Sequence, residues 1–243
     1  MSQPVIRILV VDDESTGRRA LSSTLLRRGF LVAEASRGED ALKLLRAESF
    51  DAVLLDVKMP GIGGIETLRR IRSFAPKLPI LIFTDRDKEA EKVEAFDLGA
   101  DDYITKPFSR LDLVARIRAR VRRVREPDEV KESTIEIGDI RLEPASHTVT
   151  IRGVPVRLTP KEFDILRYLM NRANQVVTYD KLLTQLWGAD HSAQIENLRT
   201  FIRQLRVKIE DDPSNPFYLL TDAHIGYRFA DVLKLGSHRQ IRT

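Results

Sequence analysis

The sequence contains no cysteine. Disulfide frameworks, thiol nucleophiles and cysteine-held zinc are therefore excluded. Histidine is scarce. His147, His191, His224 and His238 lie far apart along the chain, which argues against a histidine metal cluster. No apolar run approaches the roughly 18 residues that a membrane-spanning helix needs. The opening Met-Ser-Gln-Pro leads straight into a strand-like run, so no secretory leader is expected and a cytoplasmic location is. Neither an internal repeat nor a low-complexity tract interrupts the chain.

What is present suits one large folded domain or two small ones. Hydrophobic residues make up 42% of 243 positions and charged residues 31%, enough to bury a core and far from a disordered composition. The net charge of +4 falls entirely within residues 1–123, because residues 124–243 carry 17 basic and 17 acidic side chains. Any nucleic-acid surface in the second half must come from clustering rather than bulk charge.

The first half alternates short apolar runs with helical patterns. Ile6 to Val11, Ala52 to Leu55 and Ile80 to Phe83 read as buried parallel strands, with Phe30 to Ala35 and Tyr103 to Thr105 weaker members of the same series. Apolar residues at helical spacing separate them. Five β–α units in about 120 residues predict a parallel sheet covered by helices on both faces. The charged, proline-containing stretch from Arg122 onward predicts a linker at 124–134. Beyond it come strand-like pieces at Ile135 to Ile140, Thr148 to Ile151 and Val154 to Leu158. Three helical patterns follow, near Pro160 to Asn171, Tyr179 to Trp187 and Ala193 to Glu210. A final strand pair is expected at Phe217 to Leu220 and Tyr227 to Ala230. Thr159-Pro160-Lys161-Glu162 has the form of a capping box with proline at the first helical position.

Chemistry concentrates at strand ends. Asp12 and Asp13 follow the first strand, Asp56 the third, Thr84 ends the fourth and Lys106 follows the fifth. With strand order 2-1-3-4-5 the first and third strands are neighbours, and ligands bind at the carboxyl ends where the order reverses. Three carboxylates brought together there repel by several kcal/mol unless they protonate or hold a cation, and Mg²⁺ with oxygen ligands is the natural occupant.

These residues resemble the receiver domain of a two-component response regulator. The match rests on Asp12-Asp13, on Leu54-Leu55-Asp56-Val57-Lys58-Met59-Pro60-Gly61, on Thr84, and on Gly99-Ala100-Asp101-Asp102-Tyr103-Ile104-Thr105-Lys106-Pro107-Phe108. The resemblance implies a flavodoxin-like α/β fold over 1–123 with Asp56 as phosphoryl acceptor. It implies that Asp13, Asp56 and the Lys58 carbonyl ligate Mg²⁺, with Asp12 acting through water. Thr84 and Lys106 would contact the phosphoryl group, and Tyr103 would move into space that Thr84 vacates. The donor would be a sensor histidine kinase, and the chain's only enzymatic act would be its own Mg²⁺-dependent phosphoryl transfer and hydrolysis.

The third helix of the second half carries Asn197, Arg199, Thr200, Arg203, Gln204 and Arg206 off an apolar stripe of Ile195, Leu198, Ile202, Leu205 and Ile209. That mixture suits base-edge and phosphate contacts in a major groove. Leu158-Thr159-Pro160-Lys161-Glu162-Phe163, Leu186-Trp187-Gly188, Ile202-Arg203-Gln204-Leu205-Arg206 and Gly226-Tyr227-Arg228-Phe229 make 135–231 similar to the winged helix-turn-helix of OmpR/PhoB regulators, nearest to the KdpE type. A tail occupies 232–243. The resemblance implies double-stranded DNA as partner, read by the third helix and by wing cations His224 and Arg228. It also implies a homodimer through helix 4, strand 5 and helix 5, using Lys92, Asp97, Asp101, Asp102, Asp112, Arg116 and Arg120, with Lys92–Asp112 and Asp102–Arg116 crossing between protomers.

Two rivals and two departures accompany this reading. A haloacid-dehalogenase-like phosphatase also uses an aspartate nucleophile, but needs a second Asp where Lys58 stands. A regulator of the same fold acting largely without phosphorylation is the other. The wing tip reads Asp222-Ala223-His224-Ile225-Gly226 where family members often carry an arginine and a glycine, so His224 is the only candidate cation there. Receivers place a small residue after the switch threonine; here it is Asp85. Either it crowds the phosphorylation site with negative charge, or it caps the fourth helix.

Overall fold

In a computed structural model the described residues are 5–85, 88–125, 133–188 and 195–231. The chain divides into two compact units, Met1–Pro127 and Asp128–Thr243.

The first unit contains the expected parallel sheet. Its strands are β1 (Arg7–Val11), β2 (Leu31–Ala35), β3 (Ala52–Leu55), β4 (Ile80–Thr84) and β5 (Asp102–Thr105), in spatial order β2-β1-β3-β4-β5. The central strands β3 and β4 are buried at every position, as their unbroken apolar runs require. Helices α1 (Ser15–Arg27), α2 (Gly38–Ala47), α3 (Gly63–Phe74), α4 (Glu89–Asp97) and α5 (Arg110–Arg125) connect and follow the strands. Ile8, Val10, Leu54, Leu81 and Phe83 pack with Leu21 and Leu25 of α1 and Leu113, Ile117 and Val121 of α5. α5 reaches Arg125, two residues past the expected domain end, because its basic residues are good helix formers. Most of the expected linker, and the tail, lie outside the described residues.

The second unit opens with an antiparallel meander of β6 (Ile135–Ile137), β7 (Ile140–Glu143), β8 (Thr148–Ile151) and β9 (Val154–Val156). The first expected strand is thus two. Gly138 turns the chain at φ 58°, a conformation glycine adopts without steric cost. Three helices follow: α6 (Pro160–Met170), α7 (Tyr179–Trp187) and α8 (Ile195–Ile209). The capping box forms. The Thr159 hydroxyl accepts from the Glu162 amide, and the Glu162 carboxylate accepts from the Thr159 amide at 2.7 Å. A three-stranded sheet β10-β12-β11 completes the unit, with β11 (Leu219–Asp222) and β12 (Gly226–Phe229) forming the wing hairpin. The two-residue β10 (Val177–Thr178) pairs with β12 and was not legible in the sequence.

Candidate phosphoacceptor pocket and DNA-reading helix

Register places the pocket. β1 pairs with β3 so that Val11 lies opposite Leu55, and the Asp56 amide donates to the Val11 carbonyl at 2.9 Å. Asp12 and Asp56 therefore leave adjacent strand ends side by side. Ligand oxygens of Asp12, Asp13 and Asp56 all lie within 4.8 Å of one another. Asp12 and Asp56 are buried, whereas Asp13 is exposed. The Lys106 ammonium sits 3.3 Å from Asp12 Oδ2 and 3.2 Å from Asp56 Oδ2. The Lys58 amide donates to Asp56 Oδ1 at 3.0 Å, and the Glu14 amide to Asp12 Oδ1 at 2.8 Å.

Burial raises the Asp56 pKa above the ordinary aspartate value. The Lys58 amide and the Lys106 ammonium oppose that shift and nearby Asp12 adds to it. Burial works against the Lys106 charge, but Asp56 and Asp12 outweigh it and, with Asp85 contributing, hold its pKa above that of an ordinary lysine. Hard oxygen donors of matching charge, packed this closely, fit a Mg²⁺ ion.

Gly64 is part of this construction and the sequence did not single it out. A Cβ there would lie 2.1 Å from the Asp56 carbonyl oxygen. Its amide donates to the Val57 carbonyl at 3.1 Å. The start of α3 thus presses directly on the strand end that presents Asp56, which only a glycine allows.

Thr84 ends β4 fully buried, and its carbonyl accepts from the Lys106 amide at 2.8 Å. Tyr103 is also buried, edge-on to Phe96 with ring centroids 6.3 Å apart. Asp85 is exposed and lines the cleft with Asp56 and Lys106. Lys88 occupies the N-cap position of α4, with no side-chain cap. Asp85 thus stands at the cleft mouth while remaining exposed to solvent, and it is not the N-cap residue of α4.

Asp101, Asp102, Asp112, Arg116 and Arg120, expected at a dimer face, find partners within one chain. Arg116 lies 3.0 Å from Asp102 and 2.6 Å from Asp112. Asp101 pairs with Arg72 at 2.9 Å and also with Arg120. Lys92, Asp101, Asp102, Arg116 and Arg120 are all buried, while Asp97 is exposed. The expected Asp102–Arg116 pair therefore exists in cis. The reason is local. Arg116 is four residues from Asp112 on α5 and faces the start of β5, so both carboxylates are within reach without a partner chain. Arg72, which the sequence reading passed over, also donates to the Gly99 carbonyl at 2.9 Å and ties α3 to the β5 entry.

α8 is less exposed than its sequence suggests. Asn197, Thr200 and Gln204 are buried, and the Thr200 hydroxyl donates to the Glu196 carbonyl at 3.0 Å. Arg206 donates to the Leu219 carbonyl at 2.7 Å and to the Thr221 hydroxyl at 2.8 Å, so it braces the wing against α8. Lys208 is 2.6 Å from the fully buried Glu162. Glu210, just past the helix end, accepts the amides of Phe217, Tyr218 and Leu219. The exposed line of α8 is Glu196, Arg199, Arg203 and Val207. Arg199 makes a surface pair with Glu196. In the wing, Arg228 lies 3.3 Å from Asp222, and His224 stands exposed in the turn at φ 63°.

Comparison with known proteins bears on both units. Residues 8–118 match the family described as response regulator receiver domain, and residues 153–229 match that described as transcriptional regulatory protein, C terminal. The chain is 37% identical over 223 residues to the sensory transduction protein RegX3 of Mycolicibacterium smegmatis, covering 91% of this chain and 97% of that protein. The chain is a response regulator of the OmpR/PhoB family. DrrB of Thermotoga maritima, described as an OmpR/PhoB homologue, shares 33% identity, covers 93% of this chain and 100% of its own, and has a TM-score of 0.49. RitR shares 26% identity with a TM-score of 0.69, covering 92% of this chain and 98% of its own. The regulator is thus a phosphorylation-dependent transcription factor of a two-component system, with a histidine kinase and DNA as its partners. Among the described residues, no helix is long and apolar enough to cross a membrane.

Proposed function

We propose that Asp56 is the phosphoryl acceptor of this regulator. The observation that carries the reading is Lys106 bridging Asp12 and Asp56 beside a third carboxylate at the strand ends. An aspartate oxygen needs no base to attack phosphorus. It forms the new O–P bond as the kinase's histidine nitrogen leaves, and the product is an acyl phosphate. Asp13, Asp56 and the Lys58 carbonyl would hold Mg²⁺, with Asp12 behind a water. When bound, the ion supplies positive charge to the transferring group's oxygens. Lys106 supplies the second positive charge from the β5 side. Thr84 would donate a hydrogen bond to the new phosphoryl group, and Tyr103 would follow its displacement. The chain's enzymatic role ends with this self-directed transfer and the hydrolysis that reverses it.

The phosphoryl group adds about −1.5 to −2 charges. The output we assign is dimerisation through α4, β5 and α5. Arg116 would then trade its contacts in cis for Asp102 of a second copy, and Lys92 would pair with Asp112 of that copy. Two winged helices would next bind repeated half-sites, each weak contact strengthened by the effective concentration of the other. Arg199 and Arg203 offer the exposed cationic line for that contact, with His224 reaching from the wing.

Mass spectrometry after incubation with a small phosphodonor and Mg²⁺ tests the acceptor. One phosphoryl group should appear on the peptide containing Asp56, and none in Asp56→Asn. A phosphoryl group on Asp51 instead would refute the assignment.

A further inference from the structure

Among the described residues, seven carboxylates and two lysines line the cleft around Asp56. The roles above use Asp12, Asp13, Asp56, Lys58 and Lys106. They leave four carboxylates without a function: Glu14, at the N-cap of α1, Asp85, just past β4, and Glu91 and Glu94, on α4. Glu91 and Glu94 lie three residues apart on α4 and turn the same face to the cleft. Helix stability accounts for Glu91, which lies in the first turn of α4 and pairs with Lys88, but not for Glu94. Like charges at this spacing repel, and Glu94 sits in the half of α4 where the helix dipole disfavours an acid. Lys88 lies 3.7 Å from Glu91 and offsets part of its charge, while Asp85 and Glu94 are exposed at the mouth. Two lysines and a divalent cation together still leave the lining net negative. A cleft lined by one sign of charge changes the local concentration of charged reactants strongly.

We infer that Asp85, Glu91 and Glu94 filter the phosphoryl donor by charge, holding off free dianionic acyl phosphates and favouring donors of low charge or donors presented on a cationic protein surface. This rests on Asp56 being the acceptor. The three side chains touch neither phosphorus nor metal in this scheme; they set which donor reaches the aspartate. The transfer itself is the same for every donor. With acetyl phosphate, the Asp56 oxygen forms the O–P bond and acetate leaves with the bonding pair. With phosphoramidate, whose nitrogen already carries its proton, ammonia leaves.

The test uses the full chain at saturating Mg²⁺, with initial rates of Asp56 phosphorylation from acetyl phosphate, a dianion at neutral pH, and from phosphoramidate, a monoanion. Asp85→Asn, Glu91→Gln and Glu94→Gln are combined in one variant. Its acetyl phosphate rate should rise about tenfold, and its phosphoramidate rate by less than about twofold. In the parent, raising salt from about 0.05 to about 0.5 M should increase the ratio of acetyl phosphate rate to phosphoramidate rate, and in the variant leave it flat. Both donors accelerated equally, or a parent ratio insensitive to salt, would overturn the filter. Failure of the acceptor assignment looks different: Asp56→Asn would still gain a phosphoryl group, or the parent would gain none from either donor.

Discussion

The pocket and the DNA-reading helix answer opposite questions about charged residues. At the strand ends, every carboxylate nominated by position converges, and Lys106 joins them. On α8, cations and polar residues nominated by position divide. Arg199 and Arg203 face solvent, Arg206 and Lys208 brace the domain, and Asn197, Thr200 and Gln204 are buried. Like charges forced together by a sheet cannot satisfy one another, so their convergence signals a ligand. A cation on a helix can find a carbonyl or a glutamate nearby, so its presence alone signals nothing.

The largest effect expected is at the pocket. Asp56→Asn should abolish phosphorylation while leaving a folded chain, as mass spectrometry and thermal unfolding would show together. The Asp56 pKa is raised in the fold, so the folded state binds its proton more readily than the unfolded chain does. Its contribution to stability is present at low pH and is lost as pH rises through the raised value. Without Mg²⁺, Asp56→Asn should therefore unfold at a higher temperature than the parent at neutral pH, and Mg²⁺ should raise the parent's Tm but not the variant's. In the same way, Mg²⁺ binding should weaken on acidification from a higher pH than an ordinary aspartate would require, because proton and cation compete for Asp56.

Gly64→Ala should cost about 1–3 kcal/mol through forced backbone shifts, and should weaken Mg²⁺ binding, because the clash is with the carbonyl of Asp56 itself. Calorimetric Mg²⁺ titration reads both the affinity and any loss of site. On the other side of the comparison, Lys208→Met should cost about 2 kcal/mol by removing a charged partner from buried Glu162. It should do so without altering the salt dependence of DNA binding. Arg203→Ala should do the reverse, leaving Tm unchanged and lowering the salt slope of DNA binding by about 1. Arg206→Ala should move both. If Arg203 and Arg206 behaved alike, the division drawn on α8 would fail.

Much of this was legible beforehand. The five β–α units, the pocket residues and the capping box at Thr159 each follow from a pattern within a few residues or from a strand-order rule. What escaped depends on contacts distant in sequence. Arg72 finds Asp101 across 29 positions and Lys208 finds Glu162 across 46. β10 is two residues long, too short to show a period, and exists because β12 offers it an edge. Gly64 stood in a glycine-rich stretch whose members look equivalent until the Asp56 carbonyl is seen beside one of them.

The central claim is that phosphoryl transfer to Asp56 governs DNA binding by the second unit. Affinity for a duplex selected from a random library, measured before and after treatment with phosphoramidate and Mg²⁺, tests it most directly. The parent should bind about tenfold or more tightly after treatment, as expected when a dimer joins two half-site contacts, and Asp56→Asn should bind identically before and after. A parent whose affinity does not change although Asp56 is phosphorylated, or an Asp56→Asn chain that gains affinity, would contradict it.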